Sequence, residues 1–92
     1  MAILHLVSTH LTAQALAKLE QRSHLDDGFV FMDDGVYNIL VLGANSLSGR
    51  DVYLIHQHAL HRGLDGVAFN AEQIDMAQLV ALTVHYNSSM SW

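Results

Sequence analysis

Four apolar residues in a row, Phe29-Val30-Phe31-Met32, stand between Gly28 and the polar turn Asp33-Asp34-Gly35. No other stretch restricts the fold of this chain as much. A continuous apolar run has no solvent-facing side, so it reads as a strand buried on both faces. Beyond the turn, Val36, Ile39 and Leu40 recur at helical spacing. Strand, polar turn and helix in succession form the unit from which parallel sheets are built. In such sheets ligand and partner sites gather beyond the carboxyl ends of the strands. Asp33, Asp34 and Gly35 are therefore expected on the functional edge.

The rest of the chain fits that unit. Residues 2–7 read as a first strand, with Ile3, Leu4, Leu6 and Val7 around His5. Ser8 or Thr9 is placed to cap a helix over residues 11–22, in which Leu11, Ala15 and Leu19 recur every four residues. Asp27-Gly28 turns the chain into the strand over residues 29–32. The helix after it is expected over residues 36–42, with Gly43 as its stop. Residues 43–50, rich in glycine and serine, are expected to form a mobile loop. Residues 51–55 read as a third strand, and residues 56–62 as a short helix ending at Gly63. Asp65-Gly66 is a turn, and Val67-Ala68-Phe69 fits either a brief strand or packed coil. Gln73-Ile74-Asp75 is read as a short fourth strand. Asp75 and Gln78 have capping-box spacing for a helix over residues 76–86, with Leu79, Val80 and Thr83 expected to face the sheet. Residues 87–92 read as a tail. The expected architecture is one α/β domain over residues 1–92, with three layers. A small, mostly parallel sheet carries helices on both faces, in a flavodoxin-like arrangement. No glycine pattern suited to phosphates follows any strand.

Composition removes several function classes. The chain has 51% apolar residues, enough for a core, but only 14% charged residues. Few surface charges on so small a domain point to surface hidden in an oligomer. The formal net charge is -5, and the four Lys and Arg form no basic stripe, so direct nucleic-acid binding is not expected. With no cysteine, disulfides, thiolate metal sites and a persulfide on these residues are excluded. No apolar run approaches the roughly 20 residues of a membrane span. The opening residues lack the charged region of a signal peptide, and a cytoplasmic location is expected.

Histidines are the loudest chemical feature. His56, His58 and His61 are spaced H-x-H-x-x-H, and 58 and 61 share a helical face. Imidazole suits zinc or nickel, and these three are the candidate metal ligands. A closed site needs about four ligands, however, and a solvated short helix explains the same pattern. On that rival reading the chain is a stand-alone, homo-oligomeric ligand- or metal-binding protein. Asp33 and Asp34 have the chemistry of an acid–base pair, but carboxylates before a helix more simply satisfy its free N–H groups. Tyr37, Tyr53 and Tyr86 read as core or interface side chains. An exposed indole is costly and tryptophan is enriched at interface hot spots, so Trp92 is read as docked. No catalytic residue and no cofactor is assigned. The residues assigned to an interface are Asp33, Asp34, Gly35, Tyr37 and Trp92.

Four stretches, in order along the chain, resemble the TusB/DsrH family. Ile3-Leu4-His5 is similar to its opening, and Asp34-Gly35-Val36-Tyr37 to its central segment. Asp51-Val52-Tyr53-Leu54 with Ala59-Leu60-His61-Arg62-Gly63-Leu64 resembles a third motif. Leu79-Val80-Ala81-Leu82-Thr83-Val84-His85 with Ser89-Met90-Ser91-Trp92 resembles its closing signature. The resemblance implies a DsrE/F/H-type α/β fold. It also implies a subunit of a heterohexamer with TusC-like and TusD-like chains, which relays persulfide sulfur for 2-thiolation of the tRNA wobble uridine. Sister complexes serve sulfur oxidation. Some DsrH members carry a cysteine near the position of Leu19. Its absence here favours the tRNA branch, as a non-catalytic subunit whose partner holds the reactive cysteine.

Overall fold

The computed structural model describes residues 2–40, 47, 49–64, 71–86 and 88–92. Among the described residues five strands form one sheet: β1 Leu4–Val7, β2 Gly28–Phe31, β3 Asp51–Ile55, β4 Glu72–Ile74 and β5 Ser89–Ser91. Their order is β4-β3-β2-β1-β5, and every neighbouring pair is parallel. The helices are α1 Ala13–Arg22, α2 His56–His61 and α3 Met76–Tyr86, with a 3-10 helix over Asp33–Leu40.

Chain direction explains where the helices lie. From β1 to β4 each strand is added on the same side of the last, and the path from β4 to β5 then returns across the whole sheet. Crossovers between parallel strands are right-handed, so reversing the direction of travel moves the connection to the other face. Val7, Phe29, Phe31, Val52 and Leu54 accordingly pack with Leu16 and Leu19 of α1, Val36 and Ile39 of the 3-10 helix, and Ala59 of α2. Leu4, Val30, Ile55 and Ile74 pack on the opposite face with Leu79 and Tyr86 of α3. Strand residues alternate between the two clusters because successive side chains point to opposite faces. Phe29, Val30 and Phe31 are all fully buried, as the unbroken apolar run requires.

Several boundaries differ from those read in the sequence, each for a local reason. Helix α1 starts at Ala13, capped by Thr12, whose hydroxyl accepts from the Ala15 N–H at 3.1 Å. Leu11 lies outside it because its N–H donates to Asn38 Oδ1 at 2.8 Å. The helix expected over residues 36–42 is a 3-10 helix that begins at Asp33. Asp33 takes a left-handed backbone, with φ 49°, and the Gly35 N–H donates to Met32 C=O at 2.8 Å. That tight turn carries β2 straight into the helix without a loop. The tail contains a strand, since Leu4 N–H donates to Ser88 C=O and Trp92 N–H donates to Leu6 C=O. Val80 faces outward rather than toward the sheet, while Leu82 joins the α3 packing. Asp75 and Gln78 do form the capping box, with both reciprocal bonds at 2.8 Å. Gly43, the Asp65-Gly66 turn, Val67-Ala68-Phe69 and most of residues 43–50 lie outside the described residues.

Gly35 shows how the sequence serves this arrangement. A Cβ on it would sit 1.9 Å from the main-chain oxygen of Val7. The first turn of the 3-10 helix therefore lies directly on the end of β1, and only a residue without a side chain fits. Gly→Ala within a helix ordinarily stabilises by about 0.5–1 kcal/mol. Gly35→Ala is expected to do the reverse, costing about 3 kcal/mol through backbone displacement. Urea unfolding of the variant checks this.

Candidate functional site

The carboxyl ends of the strands carry the candidate site. As β2 ends, Asp33 holds its left-handed conformation while its N–H donates to His58 Nδ1 at 2.8 Å. An accepting Nδ1 bears no proton, so neutral His58 carries its hydrogen on Nε2. Asp33 Oδ1 lies 3.6 Å from the same nitrogen, which makes it a neighbour and not a hydrogen-bonded ion pair. The Asp33–His58 contact therefore does not form an acid–base relay. Arg62 Nε donates to Asp34 Oδ1 at 3.1 Å, and its Nη1 donates to His58 C=O at 3.1 Å. Asp34 is largely exposed, so this pair contributes about 1 kcal/mol at most. Its effect is to place the charges: α2 is clamped to the start of the 3-10 helix.

Asp33, Asp34 and Gly35 thus lie at the carboxyl edge, as expected, in different ways, and Tyr37 follows on the same helix. The two carboxylates are exposed, Gly35 is buried against β1, and Tyr37 is half-buried with its ring 5.8 Å from that of His10. Sequence reasoning missed Asn38. It is fully buried; its amide donates to Thr9 C=O and its oxygen accepts from Leu11 N–H. Both bonds tie the β1–α1 connection to the 3-10 helix. No local pattern marks it, since its partners Leu11 and Thr9 lie 27 and 29 residues earlier in the chain.

The three clustered histidines do not converge. His56 Nδ1 bonds Gln73 Oε1 on β4, His58 turns to Asp33, and His61 is exposed. Among the described residues, no group of three or more His, Cys, Asp and Glu side chains is arranged to hold a metal ion.

The other histidine of consequence is buried within the sheet. His5 Nε2 lies 2.8 Å from Asp27 Oδ2, and Trp92 Nε1 lies 3.0 Å from His5 Nδ1. An indole N–H only donates. His5 therefore accepts at Nδ1 and donates from Nε2 to the carboxylate, which fixes its neutral tautomer. Its ring also stacks on Phe29 at 5.0 Å. Asp27 accepts further from the N–H groups of Ile3, at 2.9 Å, and His24, at 3.1 Å. Burial pushes its carboxyl up, but the hydrogen bond from His5 and those from Ile3 and His24 outweigh this and hold it below the ordinary aspartate value. At the amino end of the sheet, the Tyr86 hydroxyl lies 3.4 Å from Asp51 Oδ2. Burial first, and then the neighbouring Tyr53 and Asp51, push that phenol up, so it stays neutral. Trp92 is docked against its own chain, half-buried on the core face that holds His5 and Val7.

Comparison with known proteins bears on the fold. The chain is similar in structure to protein Tm0979 from Thermotoga maritima, solved by solution NMR, with a TM-score of 0.65 and 20% sequence identity. The match covers 92% of this chain and 93% of that one. At that identity the likeness establishes the α/β fold. No protein-family model matches the sequence. No curated protein matches it either. No described helix is long and apolar enough to cross a membrane.

Two outcomes follow from the buried network. Trp92→Phe keeps the ring but leaves His5 Nδ1 buried without a donor, and is expected to cost about 1–3 kcal/mol in denaturant unfolding. A depressed carboxyl contributes stability above the unfolded-state value of about 4, and that contribution is lost as pH falls through the lower folded-state value. Asp27→Asn should therefore be less stable than the parent at pH 7, with a deficit that shrinks steadily below about pH 4. Unfolding curves between pH 7 and pH 2 measure both.

Proposed function

We propose that this chain is a non-catalytic subunit of a TusBCD-like sulfur-relay complex. It would work with TusC-like and TusD-like subunits that pass persulfide sulfur toward 2-thiouridine at the tRNA wobble position, in the cytoplasm. The observation that carries the reading is that the motifs resembling TusB/DsrH meet in space. The opening and closing motifs join through His5 and Trp92, and the central and third motifs through Asp34 and Arg62. These residues lie far apart in the chain, and the fold brings each pair of motifs into one patch.

Chemistry supports the passive role. Sulfur relay proceeds by thiolate attack on a persulfide sulfur, and these 92 residues contain no cysteine. What the chain offers is surface: Asp33, Asp34 and Tyr37 stand at the carboxyl edge on a helix locked to the sheet. Asp33 holds a left-handed backbone, and residues so held cluster at active sites, ligand clamps and switch regions. Asp33→Gly relieves the left-handed conformation and is expected to leave stability unchanged or raise it by up to about 1 kcal/mol. The same variant should weaken assembly with the partner subunits.

The test is co-expression with TusC-like and TusD-like chains, followed by sulfur transfer from a labelled persulfide donor. The chain is expected to co-purify with both, and label is expected on a partner cysteine. Failure to associate, or equal transfer and tRNA thiolation by the partners without this chain, overturns the reading.

A further inference from the structure

We propose that the free edge of β5 pairs antiparallel with the β5 edge of a second copy of this chain. The pairing would join two five-stranded sheets into one across a two-fold axis. Strand β5 ends the sheet on its side. In its parallel ladder with β1, Ser88 C=O accepts from Leu4 N–H, Trp92 N–H donates to Leu6 C=O, and Trp92 C=O accepts from Ser8 N–H. Main-chain groups of a strand point alternately to its two sides, so Ser88, Met90 and Trp92 face β1. Ser89 and Ser91 therefore turn their N–H and C=O groups outward.

Nothing on this edge discourages addition. Edge strands are commonly blunted by lysine, proline, inward charges or a bulge. Strand β5 reads Ser-Met-Ser, and all three residues are exposed. The opposite edge differs, since β4 carries the exposed Glu72. The template is also rigid, because the main-chain bonds and the Trp92 indole on His5 hold β5 in place before any partner arrives.

The occupant follows from symmetry and charge. The two outward residues are two positions apart. About a two-fold axis through Met90, each Ser89 faces Ser91 of the other copy. Each such pair exchanges both of its N–H···O=C bonds, giving four bonds in all. Met90 then lies opposite Met90 as a non-hydrogen-bonded pair, with Cα atoms about 4.5 Å apart and side chains in contact. Although the chain carries a net charge of -5, no charged side chain sits on β5 or on its partners Leu4, His5 and Leu6, so no like charges oppose. Two serines and a methionine offer little side-chain code for recognising a foreign strand, whereas a second copy matches in register by construction. So short a seam buries far less than the ~800 Å² per partner of a stable interface, and the dimer is expected to be weak and in exchange. This assembly does not depend on the sulfur-relay reading, which stands or falls on the partner subunits.

Proline separates edge pairing from folding. Among the described residues the outward N–H of Ser91 has no partner, so Ser91→Pro removes a bond from the proposed dimer and none from the ladder with β1. Sedimentation of the full chain up to about 1 mM should show concentration-dependent dimerisation. Ser91→Pro should weaken it at least tenfold with unchanged circular dichroism, and Ser91→Ala should behave as the parent. Should Ser91→Pro fold poorly, amide exchange of the parent gives the answer. Ser89 and Ser91 should exchange more slowly as concentration rises, while Glu72 and Gln73 do not. A parent chain that stays monomeric, dimerisation that survives Ser91→Pro, loss of it in Ser91→Ala, or concentration-independent exchange at Ser89 and Ser91 overturns the proposal. So does pairing of this edge with another protein's strand by a parent chain that is monomeric alone.

Discussion

A buried imidazole must satisfy two nitrogens, and in this protein that requirement joins three parts of the chain. His5 sits in the middle of β1, cut off from water, with Asp27 on one nitrogen and Trp92 on the other. Asp27 belongs to the turn that launches β2, and its remaining lone pairs take the N–H groups of Ile3 and His24. Trp92 ends the segment that adds β5. One side chain therefore couples the start of the second strand to the placement of the fifth. An apolar residue at His5 would fill the space but would leave the indole N–H without its acceptor and the buried carboxylate with only the Ile3 and His24 N–H groups, and the charged group loses the more by it.

Much of the fold was legible because its signals are local. The unbroken run Phe29-Val30-Phe31 has only one comfortable place, the centre of a doubly covered sheet. The Asp75 and Gln78 pair announced the start of α3 from three residues' spacing. Element types were harder where long-range contacts decide them. Asp33 begins a 3-10 helix because Gly35 must lie on the carbonyl of Val7, 28 residues earlier, and no local pattern reports that meeting. Strand β5 is three residues long and gains its stability from β1. Its alternation, with Met90 and Trp92 facing one way and the serines the other, was present in the sequence but too short to stand out.

The site was legible in part. That Asp33, Asp34 and Gly35 would share an edge follows from strand direction alone. Which of them is exposed does not, since it depends on where Arg62 and His58 arrive from α2. Histidine spacing misled for the same reason. A row of three on six residues looks like a ligand set, yet α2 runs between β4 and the 3-10 helix, and its first two histidines are drawn to opposite neighbours. Asn38 was missed because a buried amide cannot be told from a surface one until its partners, Thr9 and Leu11, are in place.

Strands β1 and β5 are neighbours in the sheet but stand at opposite ends of the sequence, with Ser8 and Trp92 84 positions apart. A chain emerging from the ribosome can build β1 through β4 while β1 still has a bare flank. Throughout that interval His5 has its carboxylate but no indole, and the outer main-chain groups of β1 are open to any passing strand. Closing so long a loop is entropically slow to be rewarded. The sheet is therefore finished last at the strand that was made first, and its vulnerability to wrong pairing during synthesis lasts until residues 88–92 have cleared the exit tunnel.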